Sequence, residues 1–516
     1  MAYDLHLAEQ FRATSRRFPD KPALQGAGRA LTYGALATAS TQIANALRRD
    51  GVLPGDRVVL AFRNDPSFIE AYLGCAIANV VPVAFYPDYG PAALDAVASQ
   101  AGAVSILCDG SPRTHAVVVR ARASVSRRIA FVDRAEPAPS GCRTAAHWLD
   151  GASTNAVSSA DNPDDVLVIL CSSGTTGAIK LVPRTHRAFL AASRRFGDLW
   201  GCGPEARFGV ASLITHAAAL GWGVHPVLLA GGTLVVEPDR RPAALLSHFE
   251  RHRVTDTFLV PGQARELVRV PMPSNVRLAL DLVVLGGESL DSDLASALSR
   301  RFRCELLNTY GMSEGFCTAT VRGDLEAILA GSVGRPCFAE DELRILDAYG
   351  GAVADGAVGE LWVRGPACVR ACWSAASADA FSTDGFFRTG DLVRVLGDGS
   401  LAVVGRTKLV INRDGIKVSP EALEMSIRRL VGVAGVVVVP LRDAGRGERI
   451  CAVVEMQPAH AAPTLEWLHR GLLDLGAGRT SLPDRLHVVR ALPLGPTGKL
   501  DRGLASSLAE TGASIQ

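Results

Sequence analysis

Short apolar, β-branched runs alternate with longer stretches of helical periodicity along the first two thirds of the chain. DRVVLAF (56–62), VVPVAF (80–85), SILCD (105–109), RIAFVD (128–133), DVLVILCSS (165–173), TLVVEP (233–238), DTFLVP (256–261) and LDLVVLGG (280–287) read as buried strands. FIEAYLGCAIANV (68–80) and PAALLSHFERHRV (242–254) carry a helical period between them. Such alternation predicts parallel sheets covered by helices, with ligands at the carboxyl ends of the strands. After about residue 335 the pattern changes. ELRILDAYG, GAVGELWVRG and DLVRVLGDGSLAVVGR read as hairpins, with turns at Ala348-Tyr349-Gly350 and Asp398-Gly399. Beyond Arg406 a βαβ-like series follows (EALEMSIRRLVG, VAGVVVVPL, RICAVVEM, a helix, RLHVVRALPL) and predicts a compact C-terminal domain over 408–516 after a core of 1–407.

Composition narrows the class of partner. The 516 residues are 48% hydrophobic with a net charge of +2, so neither a nucleic-acid binder nor a polybasic membrane protein is expected. The first twenty residues include Asp4 and Glu9 and no apolar core, which argues against a signal peptide. Phe208 to Val236 lacks Asp, Glu, Lys and Arg and is long enough to span a bilayer. Its histidines, proline and glycines favour a buried helix and strand instead. The 11 cysteines contain no CxxC pair, and Cys368 and Cys372 lack a second pair or a His cluster. Reduced, mostly buried thiols in a cytoplasmic protein are the expectation, without zinc.

The chemistry concentrates in a few segments. Ser172-Ser173-Gly174-Thr175-Thr176-Gly177-Ala178-Ile179-Lys180 directly follows the strand DVLVILC. Its glycines allow close backbone approach, its hydroxyls and N–H groups can cradle phosphate, and Lys180 adds a positive charge. Taken alone, the composition also describes a surface turn, and the spacing is not that of the Walker loop. Asn308-Thr309-Tyr310-Gly311-Met312-Ser313-Glu314-Gly315 follows CELLN and offers an aromatic ring for a base, a hydroxyl for phosphate and a carboxylate for a metal. Arg388-Thr389-Gly390-Asp391 places a carboxylate that can accept from two ribose hydroxyls. Gly405-Arg406, the run LVINRDGIKVSPEALE and Pro496-Thr497-Gly498-Lys499 complete the series.

In this order, these segments resemble the superfamily of adenylate-forming enzymes: acyl-CoA synthetases, luciferases and peptide-synthetase adenylation domains. The resemblance covers nearly the whole chain. It implies a large α/β N-terminal domain of two parallel-rich sheets plus a small β-barrel, followed by a small mobile α+β lid. It implies ATP and Mg²⁺ as cofactors. Ser172 to Lys180 would grip the β,γ-phosphates, although Ile179 stands where relatives usually have Pro. Gly286, Gly287, Glu288, Asn308, Thr309, Tyr310 and Gly311 would surround adenine, Ser313 would meet phosphate, and Glu314 would hold the metal. Asp391 would bind the ribose with Arg406 beside it, and Lys408 would be the hinge. Lys499 would be the catalytic lysine at the α-phosphate, and Gly415 and Lys417 would belong to a second face used for thiol transfer.

LVPRTH (181–186), YGMSEG (310–315), SVGRPCFAEDELRILD (332–347) and VINRDGIKVSPEALE (410–424) most resemble stand-alone aryl-acid activating enzymes such as dihydroxybenzoate-AMP ligases. By that likeness His216 sits at the mouth of an acid pocket lined by Ala217, Trp222, Gly287, Gly315, Phe316 and Cys317. Relatives specific for 2-hydroxybenzoates carry Asn at the position of Ala217, and amino-acid adenylation domains carry Asp there. A methyl group replaces neither, so an α-amino acid would bury an unpaired ammonium. A flat aryl or heteroaryl acid is expected. Glu288 is unusual among such enzymes, and could face adenine, the backbone or a polar group of the acid. The expected acceptor is the phosphopantetheine thiol of a carrier protein. The alternatives are transfer to CoA, a non-catalytic protein that binds an acid or nucleotide, and, remotely, a membrane protein built on 208–236.

Overall fold

The computed structural model describes the chain apart from 1–5, 123–124, 126, 132–140, 157–161, 174–178, 273–275, 371–379, 414–415, 444–446, 459, 461, 476–477, 479–480, 496–499 and 512–516. The polypeptide divides into two compact units, 1–342 with 363–387, and 343–362 with 388–516.

The first unit holds two large sheets. The order in the seven-stranded sheet is Arg143–Thr144, Arg127–Phe131, Ala103–Asp109, Arg57–Ala61, Val81–Phe85, Val166–Ser173 and Ile179–Thr185. Neighbours are parallel except the last pair, where Ser172 lies opposite Lys180 in an antiparallel ladder. Val81–Phe85 is buried along its whole length, which is why its sequence shows a continuous apolar run rather than alternation. In the nine-stranded sheet the order is Arg335–Pro336, Cys317–Ala319, Glu305–Gly311, Leu282–Gly286, Asp256–Leu259, Arg207–Gly209, Thr233–Val235, Pro22–Gly26 and Arg29–Thr32.

Local chemistry sets the helix limits. The helix expected from residue 68 begins at Pro66, because the Asp65 carboxylate accepts from the Ser67 N–H and proline suits the first helical position. It stops at Ala78 because Asn79 turns left-handed at φ 56°. The charge-free stretch 208–236 folds as the strand Arg207–Gly209, short helical turns from Ala217 to Ala230, and the strand Thr233–Val235. Among the described residues no helix is long and apolar enough to cross a membrane. The ten described cysteines are free thiols, seven of them buried; Cys372 lies outside the described residues.

The strands Glu342–Leu346, Gly359–Arg364, Phe387–Val395 and Leu401–Arg406, expected in a small barrel and lying mostly in the second unit, follow one another in a four-stranded sheet. Both anticipated turns form, at Gly350 and Gly399, each with positive φ. Val433–Asp443 and Gly447–Met456 pair antiparallel, and Arg485–Val489 joins the latter in parallel. The helices Pro420–Arg428 and Leu465–Asp474 cover one face of this sheet, burying Leu423, Ile427, Leu468 and Leu472.

Two buried histidines in the first unit make its stability depend on pH. His225 is fully buried, 3.0 Å from Ser193 Oγ through Nδ1 and 3.0 Å from Tyr72 OH through Nε2. Ser193 gives its proton to the Phe189 carbonyl at 2.8 Å, so His225 Nδ1–H donates to Ser193 and Nε2 accepts from Tyr72. Burial, helped by the charge of Arg184, pushes His225 down to about 3. His186 accepts from the Leu7 N–H at 3.1 Å and stacks on His6, and burial pushes it down to about 2. Both are neutral when folded, so their contribution is complete above the unfolded value near 6.5 and is lost as pH falls below it. Each loses about 1.4 kcal/mol per pH unit. Asp256 and Asp341, pushed up to about 6 by burial, offset part of this between about pH 6 and 4. The imidazole ¹⁵N shifts of His225 and His186 will remain those of neutral rings at pH 5; a protonated ring at either position would contradict this.

Candidate active site

The strand Ile179–Thr185 carries the ion pair at the heart of the site. Lys180 Nζ lies 2.7 Å from Glu314 Oε1, with both side chains largely buried. The ammonium also sits 5.0 Å from the ring centroid of Phe387. Glu314 belongs to the loop after the strand Glu305–Gly311, so the pair joins the edge strand of one sheet to a strand end of the other. Gly174, Thr175, Thr176 and Gly177 of the expected phosphate loop lie outside the described residues, and of Ser173 only the backbone is described.

The loop carrying Glu314 is tied down through its backbone. The Gly315 N–H donates to the Met312 carbonyl, and the Val369 N–H donates to the Glu314 carbonyl at 2.7 Å. Gly315 has φ 116°, and a Cβ there would meet the Ala367 carbonyl oxygen at 1.9 Å. Only glycine meets both conditions.

The expected adenine residues surround the same strand ends. Asn308 is buried, donates from Nδ2 to the Ser332 carbonyl, and accepts through its own carbonyl from the Thr320 N–H. Thr309 Oγ1 donates to the Leu285 carbonyl at 3.0 Å, and a Cβ on Gly286 would meet that hydroxyl at 2.4 Å. The Tyr310 ring meets Phe316 edge-on, with centroids 6.3 Å apart. Of the three orientations open to Glu288, the structure shows the backbone one: Oε2 accepts from the Gly262 N–H at 3.1 Å. That N–H opens the helix Pro261–Arg269, where a carboxylate also meets the favourable end of the helix dipole.

The residues expected around the acid separate into an accessible part and a buried wall. His216 and Ala217 are half-buried, with His216 Nε2 3.5 Å from Tyr89 OH. Trp222, Phe316 and Cys317 are buried. The Trp222 ring stacks on Phe196 at 4.2 Å with an interplanar angle of 5°, and the Cys317 thiol donates to the Thr318 carbonyl at 3.4 Å. Burial pushes that thiol well above its usual range, with the neighbouring Cys337 thiol adding to the shift. A Cβ on Gly221 would press on Phe189 and Phe196, so the absence of a side chain there lets the aromatic wall close. Tyr89 and Phe196 were not anticipated. Tyr89 had a signal, lying in the Tyr-Pro-Asp-Tyr turn just beyond the strand Val81–Phe85.

The remaining expected residues belong to the second unit. Asp391 is buried and lies opposite Arg406 across an antiparallel ladder, with Arg406 Nε 2.7 Å from Asp391 Oδ1. The Asp391 N–H is held by Thr389 Oγ1 at 3.0 Å. Lys408 lies in the turn Thr407–Leu409. Lys417 lies in the strand Ile416–Val418, its side chain undescribed. Gly415 and Lys499 lie outside the described residues.

Comparison with known proteins matches the family model "AMP-binding enzyme" over residues 11–373. The chain is 32% identical over 504 residues to a salicyl-AMP ligase / salicyl-S-ArCP synthetase of Mycobacterium tuberculosis, covering 95% of this chain and 88% of that protein. It is 30% identical over 527 residues to a 2-hydroxy-7-methoxy-5-methyl-1-naphthoate–CoA ligase of Streptomyces carzinostaticus, covering 98% and 93%. Among solved structures, apo MbtA of Mycobacterium smegmatis superposes with a TM-score of 0.73 at 31% identity, covering 98% of this chain and 95% of that one. The chain therefore belongs to the family of AMP-binding enzymes.

Proposed function

We propose that this protein adenylates an aryl or heteroaryl carboxylic acid with ATP, releasing pyrophosphate, and passes the acyl group to the phosphopantetheine thiol of a carrier protein. The observation that carries the reading is the 2.7 Å Lys180–Glu314 pair. It supports the reading because an ammonium suited to phosphate and a carboxylate suited to a metal meet at the start of the strand that follows the Ser/Thr/Gly segment.

Glu314 fits a Mg²⁺ that arrives with nucleotide. Among the described residues no three His, Cys, Asp or Glu side chains cluster as a metal cage. A single carboxylate suits an ion that takes its other oxygens from phosphates and water. When bound, Mg²⁺ offsets the negative charge that opposes carboxylate attack on phosphorus. Lys180 grips the β,γ-phosphates, Ser313 meets phosphate, and Tyr310 and Asn308 border the adenine. Asp391, held by Arg406 and Thr389, accepts from the ribose hydroxyls. Lys499 supplies positive charge at the α-phosphate, where the carboxylate oxygen forms its new bond as pyrophosphate leaves. We assign the hinge to Lys408, the lid to 408–516, and the thiol-transfer face to Gly415 and Lys417. We also assign the protein to the cytoplasm, in keeping with its free, mostly buried thiols.

The relatives named for salicylate and for a hydroxynaphthoate favour a flat acid, as does the stacked Trp222–Phe196 wall. Ala217 removes an anchor for an α-ammonium. ATP–pyrophosphate exchange across benzoates, heteroaryl acids, fatty acids and α-amino acids tests this choice. Exchange will rise at least about 100-fold above background with an aryl or heteroaryl acid and stay at background with α-amino acids. Strong exchange with an α-amino acid would overturn the reading of Ala217. Offering the activated acid a pantetheinylated aryl carrier protein and CoA in parallel identifies the acceptor; faster transfer to CoA would favour the ligase alternative.

A further inference from the structure

The Arg184 side chain is fully buried, in the same strand as Lys180 and four residues beyond it, and so on the same face. Its guanidinium lies 4.7 Å from the Phe189 ring centroid. Nη1 donates to the Ser313 carbonyl at 2.9 Å, and Nη2 to the Ala367 carbonyl at 3.0 Å. Ser313 immediately precedes Glu314, and Ala367 lies two residues before Val369, whose N–H holds the Glu314 carbonyl.

A buried arginine whose two nitrogens are spent on carbonyls of two separate segments needs an explanation. Arginine is almost never fully buried unless a specific geometry requires it. The planar fork reaches both carbonyls at once, which a lysine ammonium on one flexible stem would not reproduce. One strand thus holds Glu314 twice: Lys180 takes the carboxylate, and Arg184 takes the backbone beside it and the strap that crosses it.

We infer that Arg184 is a positioning residue that sets the orientation of the Glu314 carboxylate, and through it the affinity for the divalent cation that accompanies ATP. The inference rests on the assignment of Glu314 as the metal-binding group. Arg184 itself touches neither nucleotide nor acid. Its partners bind through main-chain carbonyls, so its influence passes through the loop backbone. Groups that orient a metal ligand from behind change affinity by about 10- to 100-fold when lost.

The test is equilibrium binding of ATP, by calorimetry or a fluorescent ATP analogue, titrated with Mg²⁺ and repeated in EDTA, on wild type, Arg184→Lys and Phe189→Leu. The lysine variant keeps the charge and loses one of the two carbonyl contacts. The leucine variant removes the aromatic face under the guanidinium and leaves every hydrogen bond in place. Arg184→Lys will raise the Mg²⁺ concentration for half-maximal enhancement of ATP binding by about 10-fold. ATP binding in EDTA will stay within about twofold of wild type, which a merely disordered site would not preserve. Phe189→Leu will shift the Mg²⁺ midpoint in the same direction by less, and it decides the matter if Arg184→Lys does not fold. An unchanged midpoint in the folded variants, with wild type responding to Mg²⁺, overturns the inference alone. Wild-type ATP binding indifferent to Mg²⁺ overturns the metal role of Glu314 and the inference together.

Discussion

Replacing Lys499 with Ala will lower acid-dependent ATP–pyrophosphate exchange by at least about 1,000-fold while ATP binding changes little. The contrast follows from where charge develops. On the proposed roles, the ground-state phosphates already have Lys180 and the metal that Glu314 would hold. As the carboxylate oxygen closes on the α-phosphorus, two anions are forced together. A cation at that point contributes chiefly in the transition state, which lowers kcat rather than nucleotide affinity. The measurement is exchange at saturating acid beside direct ATP binding. A variant that retains exchange within about tenfold of wild type would remove Lys499 from the reaction. Equal loss of ATP binding and exchange would make it a nucleotide ligand only.

Glu314→Gln is the second large effect. The substitution keeps the shape and removes the anion, so the proposed metal would lose its protein carboxylate and Lys180 loses its 2.7 Å ion-pair partner. Two consequences of opposite sign follow. ATP binding without Mg²⁺ will hold or strengthen, because Lys180 no longer has to leave a carboxylate to meet phosphate. The enhancement of binding by Mg²⁺ will largely disappear, and exchange will fall by about 100- to 1,000-fold. Mg²⁺ titrations of both quantities check this; a wild-type Mg²⁺ response in the variant would contradict the assignment of Glu314.

The parts of the site that were legible in the sequence are those specified locally. The expected phosphate loop does follow a strand, which runs to Ser173, with the next strand beginning at Ile179. Asp391 and Arg406 flank a hairpin with a readable Asp-Gly turn, but the register set by that turn would place Asp391 opposite Gly405, and an unread shift between Leu392 and Val393 brings it opposite Arg406. The caps at Asp65 and Asn79 are legible too, although the periodicity alone placed that helix two residues late. What the sequence concealed depends on partners far along the chain. Glu288 meets a backbone N–H 26 residues earlier, and Arg184 meets a carbonyl 129 residues later. Neither shows a local pattern, because a charged residue within an apolar strand, as Arg184, or just beyond one, as Glu288, reads first as facing solvent. The aromatic wall was half visible: Trp222 stood out, but its stacking partner Phe196 occupies an ordinary helical core position. The small-barrel expectation came from family likeness, and hairpin periodicity alone specifies strands and turns without their closure.

Isotope transfer from the acid reaches the central step most directly. With both carboxylate oxygens of an accepted aryl acid labelled with ¹⁸O, attack on the α-phosphorus makes one labelled oxygen the bridge of the acyl-adenylate. Thiol attack at the carbonyl carbon then breaks the bond on the acyl side, so that oxygen leaves with AMP. Mass spectrometry after complete transfer will find AMP carrying one ¹⁸O and pyrophosphate carrying none. Label in pyrophosphate or orthophosphate, or unlabelled AMP, would contradict activation of the acid as its adenylate.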